Sequence, residues 1–196
     1  VPKGSSIPQR AVVRLVRNTN YINLTPEDRI LLTGAIVFDA TTFEIWGALL
    51  NGGTLYVVEK ETILDPEALG EELIKNDITI LWITSALLTQ IAEARTDIFR
   101  KLKYLLSGGD VLSPSHINRI RKDNPNLKVL NCYGPTENTT FSTTYLIEQN
   151  FDYNIPIGKP ISNSTTYIFD SNLNYQPIGI LGELCVGGDG LSRGYL

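Results

Sequence analysis

The sequence predicts an α/β protein: a largely parallel sheet flanked by helices, followed by the beginning of a mostly-β subdomain. Three observations carry this expectation. Short continuous apolar runs, such as Ile78 to Ile83, read as strands buried on both faces. Stretches of about ten residues with helical periodicity separate these runs, which is the spacing of β-α units. Beyond about Thr139 the helical pattern gives way to strand-like stretches divided by Gly, Pro and Asn turns.

Taken in order, Pro8 to Asn18 is expected to be a helix, with Pro8 near its first turn and Val12, Leu15 and Val16 on one face. Arg29 to Thr33 is a short strand. Thr41 to Leu50 is an amphipathic helix stopped by Asn51-Gly52-Gly53, and Thr54 to Val58 is the next strand. Asp65 should cap a helix that has Pro66 at its first position and runs to about Lys75. A strand at Ile78 to Ile83 and a helix at Ser85 to Glu93 follow. Tyr104 to Leu106 is a strand broken by Gly108-Gly109. Ser113-Pro114 opens a helix through Arg121, which Asn124-Pro125 ends before a strand at Leu127 to Leu130. Thr139 to Ile147, Thr165 to Phe169 and Gly182 to Val186 complete the strands. The change of pattern divides the chain into an α/β part, 1–150, and the start of a β-rich subdomain, 151–196.

Of the 196 residues, 42% are apolar and 19% charged, enough to bury a core and to exclude a disordered chain. The net charge of −4 gives no basic surplus for nucleic acid. Cys132 and Cys185 are too few for a disulfide scaffold or a zinc site, and the single His116 excludes a His-rich metal centre. No apolar run approaches the ~18 residues needed to span a membrane. No signal peptide opens the chain, so the expected location is cytoplasmic. The chain has no Met and stops directly after strand-like residues, which suggests a piece cut from a longer protein.

In a parallel sheet, ligands bind beyond the carboxyl ends of the strands. Three segments fall there: Phe38-Asp39-Ala40, Ser107-Gly108-Gly109-Asp110, and Asn131-Cys132-Tyr133-Gly134-Pro135-Thr136-Glu137. In the last, Tyr133 can stack on a flat ring and Gly134 lets a ligand approach the backbone. Thr136 offers a hydroxyl to a phosphate, and Glu137 a hard oxygen to Mg²⁺. The same residues also suit an ordinary turn shaped by Pro135.

Tyr133-Gly134-Pro135-Thr136-Glu137 resembles the YGPTE motif of amino-acid adenylation domains in nonribosomal peptide synthetases. Pro2-Lys3-Gly4 resembles the end of that family's phosphate loop. Phe38-Asp39-Ala40 with Phe43-Glu44 resembles its FDA-x-x-x-E segment. Gly182 to Gly188 with Ser192-Arg193-Gly194-Tyr195 resembles its GELCIGG…ARGY segment. The four motifs lie in register over the whole chain.

The resemblance implies activation of an amino acid by ATP to an aminoacyl-adenylate, then transfer to the phosphopantetheine thiol of a carrier domain. It implies partners in the rest of the adenylation domain and in the carrier and condensation domains of a parent synthetase, as in antibiotic biosynthesis. Tyr133 would stack on adenine and Asn131 would bond its exocyclic amine. Gly108 and Gly109 would pass close to the nucleotide and the substrate. Thr136 would contact the α-phosphate, and Glu137 would hold Mg²⁺. Asp39 would pair with the substrate ammonium, or else cap the helix after it. The side-chain pocket would comprise Ala40, Phe43, Trp82, Leu106, Gly108, Cys132, Thr140 and Phe141. This set carries no charge and resembles valine-activating members, with isoleucine and leucine close. The 196-residue piece alone is expected to be inactive, because the body of the phosphate loop, the ribose-binding Asp and a catalytic lysine are not in it. The alternatives are an acyl-CoA synthetase-like enzyme, which would have no ammonium for Asp39, and a non-catalytic scaffold.

Overall fold

The computed structural model describes residues 3–196, so Pro2 of the phosphate-loop resemblance lies outside the described residues. Among these residues one seven-stranded sheet organises the chain. Its strands are β1 (Arg29–Leu32), β2 (Thr54–Val57), β3 (Ile80–Thr84), β4 (Tyr104–Gly108), β5 (Lys128–Tyr133), β6 (Thr143–Leu146) and β7 (Lys159–Pro160). The order is β2-β1-β3-β4-β5-β6-β7. The first five strands are mutually parallel, and β6 and β7 add on in antiparallel sense. A separate antiparallel pair, β8 (Ser164–Phe169) and β9 (Glu183–Gly188), follows.

The apolar runs are strands because both faces are covered. Along β3, Ile80 and Trp82 point to one side of the sheet and Leu81 and Ile83 to the other. β4 repeats the alternation, with Leu106 on the first side and Leu105 on the second. On the first side lie α1 (Gln9–Val16) and α2 (Thr41–Leu49), which bury Leu15, Val16 and Phe43. On the second lie α4 (Pro66–Lys75), α5 (Ser85–Ala94) and α6 (Pro114–Asp123), which bury Leu69, Leu73, Leu88, Ile91 and Ile117.

Asp65 caps α4 as expected, accepting from the Glu67 amide at 2.9 Å with Pro66 in the first turn. Directly before it sits α3 (Lys60–Leu64), which the sequence did not announce because two short helices abut at Asp65. α1 stops short of the expected Asn18, where Arg17 turns extended and Asn18 takes φ 49°. β6 begins four residues later than expected. A 3₁₀ turn at Thr136–Asn138, followed by left-handed Thr139 and Thr140, occupies the start of that stretch.

Candidate active site

β1, β3, β4 and β5 end at one rim of the sheet, and the segments that leave them form two neighbouring cavities there. The smaller, about 240 Å³, has Asp39, Ala40, Trp82, Thr136, Thr140 and Phe141 in its wall. The larger, about 450 Å³, contains Asn131 and Tyr133, with Asp110, Asn154 and Ile155 opposite. Gly109, Cys132 and Gly134 line both cavities and so form the partition between them. A side chain cannot replace Gly134: a Cβ there would come within 2.3 Å of the Thr140 carbonyl oxygen. A separate groove of about 500 Å³ between α1 and α2 is lined by Ile7, Gln9, Val12, Val13, Thr42, Trp46 and Leu50 and holds no titratable group.

Asp39 lies in the turn after β1 and is half-buried. Its Oδ2 accepts a 2.6 Å hydrogen bond from Thr136 Oγ1, and its backbone oxygen accepts one from Thr140 Oγ1 at 2.9 Å. The helix-cap alternative does not hold: Ala40 occupies the cap position of α2, with no side-chain cap bond. The FDA segment and the YGPTE segment therefore meet through side chains 97 residues apart.

The residues expected to form the pocket divide into two groups. Ala40, Trp82, Cys132, Thr140 and Phe141 line the small cavity. Phe43, Leu106 and Gly108 do not; each adjoins a residue that does. Phe43 is wholly buried, with its ring 5.4 Å from that of Phe141. Leu106 pairs with Trp82 across β3 and β4, and Gly108 pairs with Cys132 across β4 and β5. Phe38 and Pro135, in the ligand-facing segments but outside the expected side-chain pocket, join the lining, and the rings of Phe38 and Trp82 meet at a tilt with centroids 5.6 Å apart. Trp82 is 3% exposed, and its buried Nε1–H has no hydrogen-bond partner among the described residues. Burial pushes the Cys132 thiol well above its ordinary value, which keeps it protonated and a poor nucleophile.

Around the larger cavity, Tyr133 is 40% exposed, so a face of its ring is open. Asn131 Nδ2 donates to the Pro156 carbonyl at 3.0 Å, while its Oδ1 takes no donor among the described residues. That leaves an acceptor for an amine. Glu137 lies on the 3₁₀ turn, lines neither cavity, and is half-buried. The Tyr195 phenol donates to Glu137 Oε1 and, with more distant Lys3, holds that carboxyl below the ordinary carboxylate range. Tyr195 belongs to the C-terminal motif, but only the folded chain brings it to Glu137. Among the described residues there is no cluster of three or more metal-ligating side chains.

Glu44, about one helical turn beyond cavity-lining Ala40, is wholly buried and has no cationic partner. It accepts from the Thr33 amide at 2.9 Å, the Thr33 hydroxyl at 2.7 Å and the Gly34 amide at 3.2 Å. Burial outweighs these donors and raises its pKa to about 7. The bonds tie α2 to the end of β1, where the Phe38-Asp39 turn departs.

Comparison with known proteins finds relatives along the whole chain. The family model described as "AMP-binding enzyme" matches residues 1–196. Tyrocidine synthase 3 of Brevibacillus parabrevis is 56% identical over 195 residues, covering 100% of this chain and 3% of that protein. Gramicidin S synthase 2 of Brevibacillus brevis is 54% identical over 195 residues, covering 100% of this chain and 4% of that one. The solved structure of holo-PA1221, an NRPS protein containing adenylation and PCP domains, superposes with a TM-score of 0.93 at 33% identity, over 98% of this chain and 34% of that one. The N-terminal subdomain of Klebsiella oxytoca NpsA bound to 3-hydroxybenzoyl-AMSN gives 0.88 at 25% identity, over 98% of this chain and 50% of that one. The chain thus spans a few per cent of the curated relatives and a third to a half of these solved structures. It belongs to the AMP-binding enzyme family and corresponds to part of the adenylation domain of a nonribosomal peptide synthetase.

Proposed function

We propose that this chain forms the substrate-selecting core of an adenylation domain that activates valine with ATP. The observation that carries the reading is the pair of cavities with a shared wall of Gly109, Cys132 and Gly134. The small cavity takes the amino acid and the larger one the adenosine part of ATP. The amino-acid carboxylate then attacks the α-phosphorus of ATP at the partition, beside Thr136; the acyl–phosphate bond of the aminoacyl-adenylate forms as the α–β phosphoanhydride bond breaks and pyrophosphate leaves. Such a reaction depends on positioning and charge neutralisation more than on a general base. It fits a site whose one nearby thiol stays protonated.

Asp39 binds the ammonium. Its present partner is the neutral Thr136 hydroxyl, so the carboxylate has room for a cation. The side chain of the substrate lies against Trp82, Cys132, Thr140 and Phe141. The one charged residue in the wall of that cavity is Asp39, which the ammonium takes up, so a small branched apolar side chain fits best. Tyr133 stacks on adenine, with the free Asn131 Oδ1 accepting from its amine. Gly108 keeps the floor of the partition narrow from behind.

The donor set also fits Mg²⁺. That ion commonly takes one or two carboxylates and completes its shell with substrate phosphates and water. Glu137 is a single half-buried carboxylate of this kind. When bound, the ion neutralises phosphate charge. Transfer to the phosphopantetheine of a carrier domain, work beside a condensation domain, and a cytoplasmic location belong to the same reading. PA1221 supports the carrier by carrying adenylation and PCP domains together. No helix among the described residues is long and apolar enough to cross a membrane. The division at 150 is supported by the separate β8-β9 sheet, although Lys159–Pro160 still pair with the large sheet.

A stable mimic of valyl-adenylate tests the reading on the intact parent synthetase. It should bind far more tightly than valine, and both valine and ATP should displace it. Displacement by ATP alone would remove the amino-acid cavity from the account.

A further inference from the structure

We propose that Arg14 is a positioning residue for amino-acid activation: it clamps the strained turn from Asn138 to Phe141, and through that turn it sets the wall of the amino-acid cavity. The inference rests on the functional reading above.

Arg14 sits in the second half of α1, far from any motif that the sequence singles out, and is 3% exposed. Its Nη1 donates to the Phe141 carbonyl at 3.0 Å and to the Ser164 hydroxyl. Its Nη2 donates to the Asn138 carbonyl at 2.8 Å and the Thr139 carbonyl at 3.0 Å. Three of four consecutive backbone carbonyls thus converge on one guanidinium. All its acceptors are neutral, and among the described residues no carboxylate lies within ion-pair distance of it. A planar fork of donors can serve several carbonyls of one turn, whereas the compact ammonium of lysine cannot reach them all in the same geometry.

The turn needs such a clamp. Thr139 has φ 51° and Thr140 φ 67°, so two successive β-branched residues lie in the left-handed region. Side chains of that type disfavour it, and such a conformation persists only when its surroundings over-determine it. The strain falls on the residues that shape the site. Thr140 and Phe141 line the small cavity, and the Thr140 hydroxyl holds the Asp39 backbone. Thr136, at the head of the same turn, holds the Asp39 carboxylate.

The far side of the guanidinium is closed by Gly190. A Cβ on Gly190 would come within 2.5 Å of both Arg14 Nη2 and Asn138 Oδ1. The Thr139 hydroxyl also donates to the Gly190 carbonyl at 2.7 Å. Arg14 is therefore wedged between the turn and the 189–190 loop, and a single methyl group at position 190 would push it toward the cavity wall.

The test uses the intact parent with Arg14→Met, Arg14→Lys, Gly190→Ala and Ser164→Ala. Amino-acid-dependent ATP–pyrophosphate exchange is measured below each variant's melting temperature, with the folded fraction counted. Arg14→Met should raise KM for the amino acid on the order of tenfold to a hundredfold, as expected for displaced positioning groups, and change KM for ATP far less. Discrimination between valine and isoleucine should narrow with it. Arg14→Lys should recover part of the loss, and Gly190→Ala should reproduce it without touching Arg14. Wild-type KM and selectivity in the folded fraction of Arg14→Met, with only a lower melting temperature, would overturn the proposal. If Arg14→Met does not fold, wild-type behaviour of both Gly190→Ala and Ser164→Ala would overturn it instead. A wild-type parent without any amino-acid-dependent exchange would overturn the functional reading and this inference with it. A normal wild type with unaffected variants would overturn this inference alone.

Discussion

Thr136 donates its hydroxyl to Asp39 across 97 residues, so the two motifs that flank the small cavity are bonded to each other. On the proposed function, a substrate ammonium would take over Asp39 and free the Thr136 hydroxyl for a phosphate oxygen, so that filling the small cavity would prepare the nucleotide side.

Asp39→Asn in the intact parent should therefore weaken the amino acid selectively. Losing one partner of a largely desolvated charge pair costs about 2 kcal/mol or more, or roughly a 30-fold rise in KM for the amino acid. The KM for ATP should hardly move. Steady-state exchange kinetics with each substrate varied in turn would check this, and an equal rise in both constants would speak against an ammonium at Asp39.

Glu137→Gln should act on turnover instead. The carboxylate stands outside both cavities, and the proposed role for it is to hold a cation on the phosphates. Charge on those phosphates matters most in the transition state, so kcat should fall much further than amino-acid affinity. A change confined to KM for the amino acid would contradict the metal role.

Trp82→Ala should shift the substrate preference toward larger side chains, because the indole fills one wall of a 240 Å³ cavity. Removing a buried Trp also costs about 3–5 kcal/mol of stability, so the measurement belongs at low temperature. Trp82→Phe is the milder companion. It opens less space, and it removes a buried N–H that has no partner among the described residues.

Glu44 gives a pH prediction. Its pKa in the folded chain is about 7, above the ordinary carboxylate value, so the folded state binds its proton more tightly than the unfolded state does. The linkage then runs opposite to that of an ion-paired carboxylate: stability falls as pH rises from about 4.5 to 7, and the loss is complete above 7. Glu44→Gln should flatten this slope, gaining up to about 3 kcal/mol relative to wild type at pH 8 compared with pH 5. Melting curves of the intact adenylation domain at both pH values would decide it; parallel shifts of wild type and variant would refute the buried-carboxylate account.

Much of the fold was legible in the sequence, because a strand buried on two faces needs an unbroken apolar run and a helix cap needs a particular side chain. Ile80 to Thr84 and Asp65-Pro66 carried both signals. The late start of β6 was not legible. A pair of threonines has strand propensity, and the contacts that oppose it are all tertiary: Arg14 bonds the Thr139 carbonyl, while the Thr139 and Thr140 hydroxyls bond the Gly190 and Asp39 carbonyls. The motifs located the rim of the sheet but not its depth. Phe43 and Leu106 match the expected pocket by position, yet each is fully buried beside a lining residue, Phe43 against Phe141 and Leu106 next to Trp82. Tyr195 was out of reach as a partner of Glu137, since 58 residues separate them and no spacing rule joins them.

The central claim is that an amino acid with a small branched side chain and an adenosine nucleotide meet across the Gly109-Cys132-Gly134 wall. The most direct measurement is ATP–pyrophosphate exchange by the intact parent against a panel of amino acids. The account predicts the highest rate with valine. Isoleucine should follow on the order of tenfold to two-hundredfold lower, because one methylene in an apolar pocket separates them. Phenylalanine should stay at background because it would collide with Trp82, and glutamate because its charge would be buried without a partner. A parent that prefers phenylalanine or glutamate would contradict the claim.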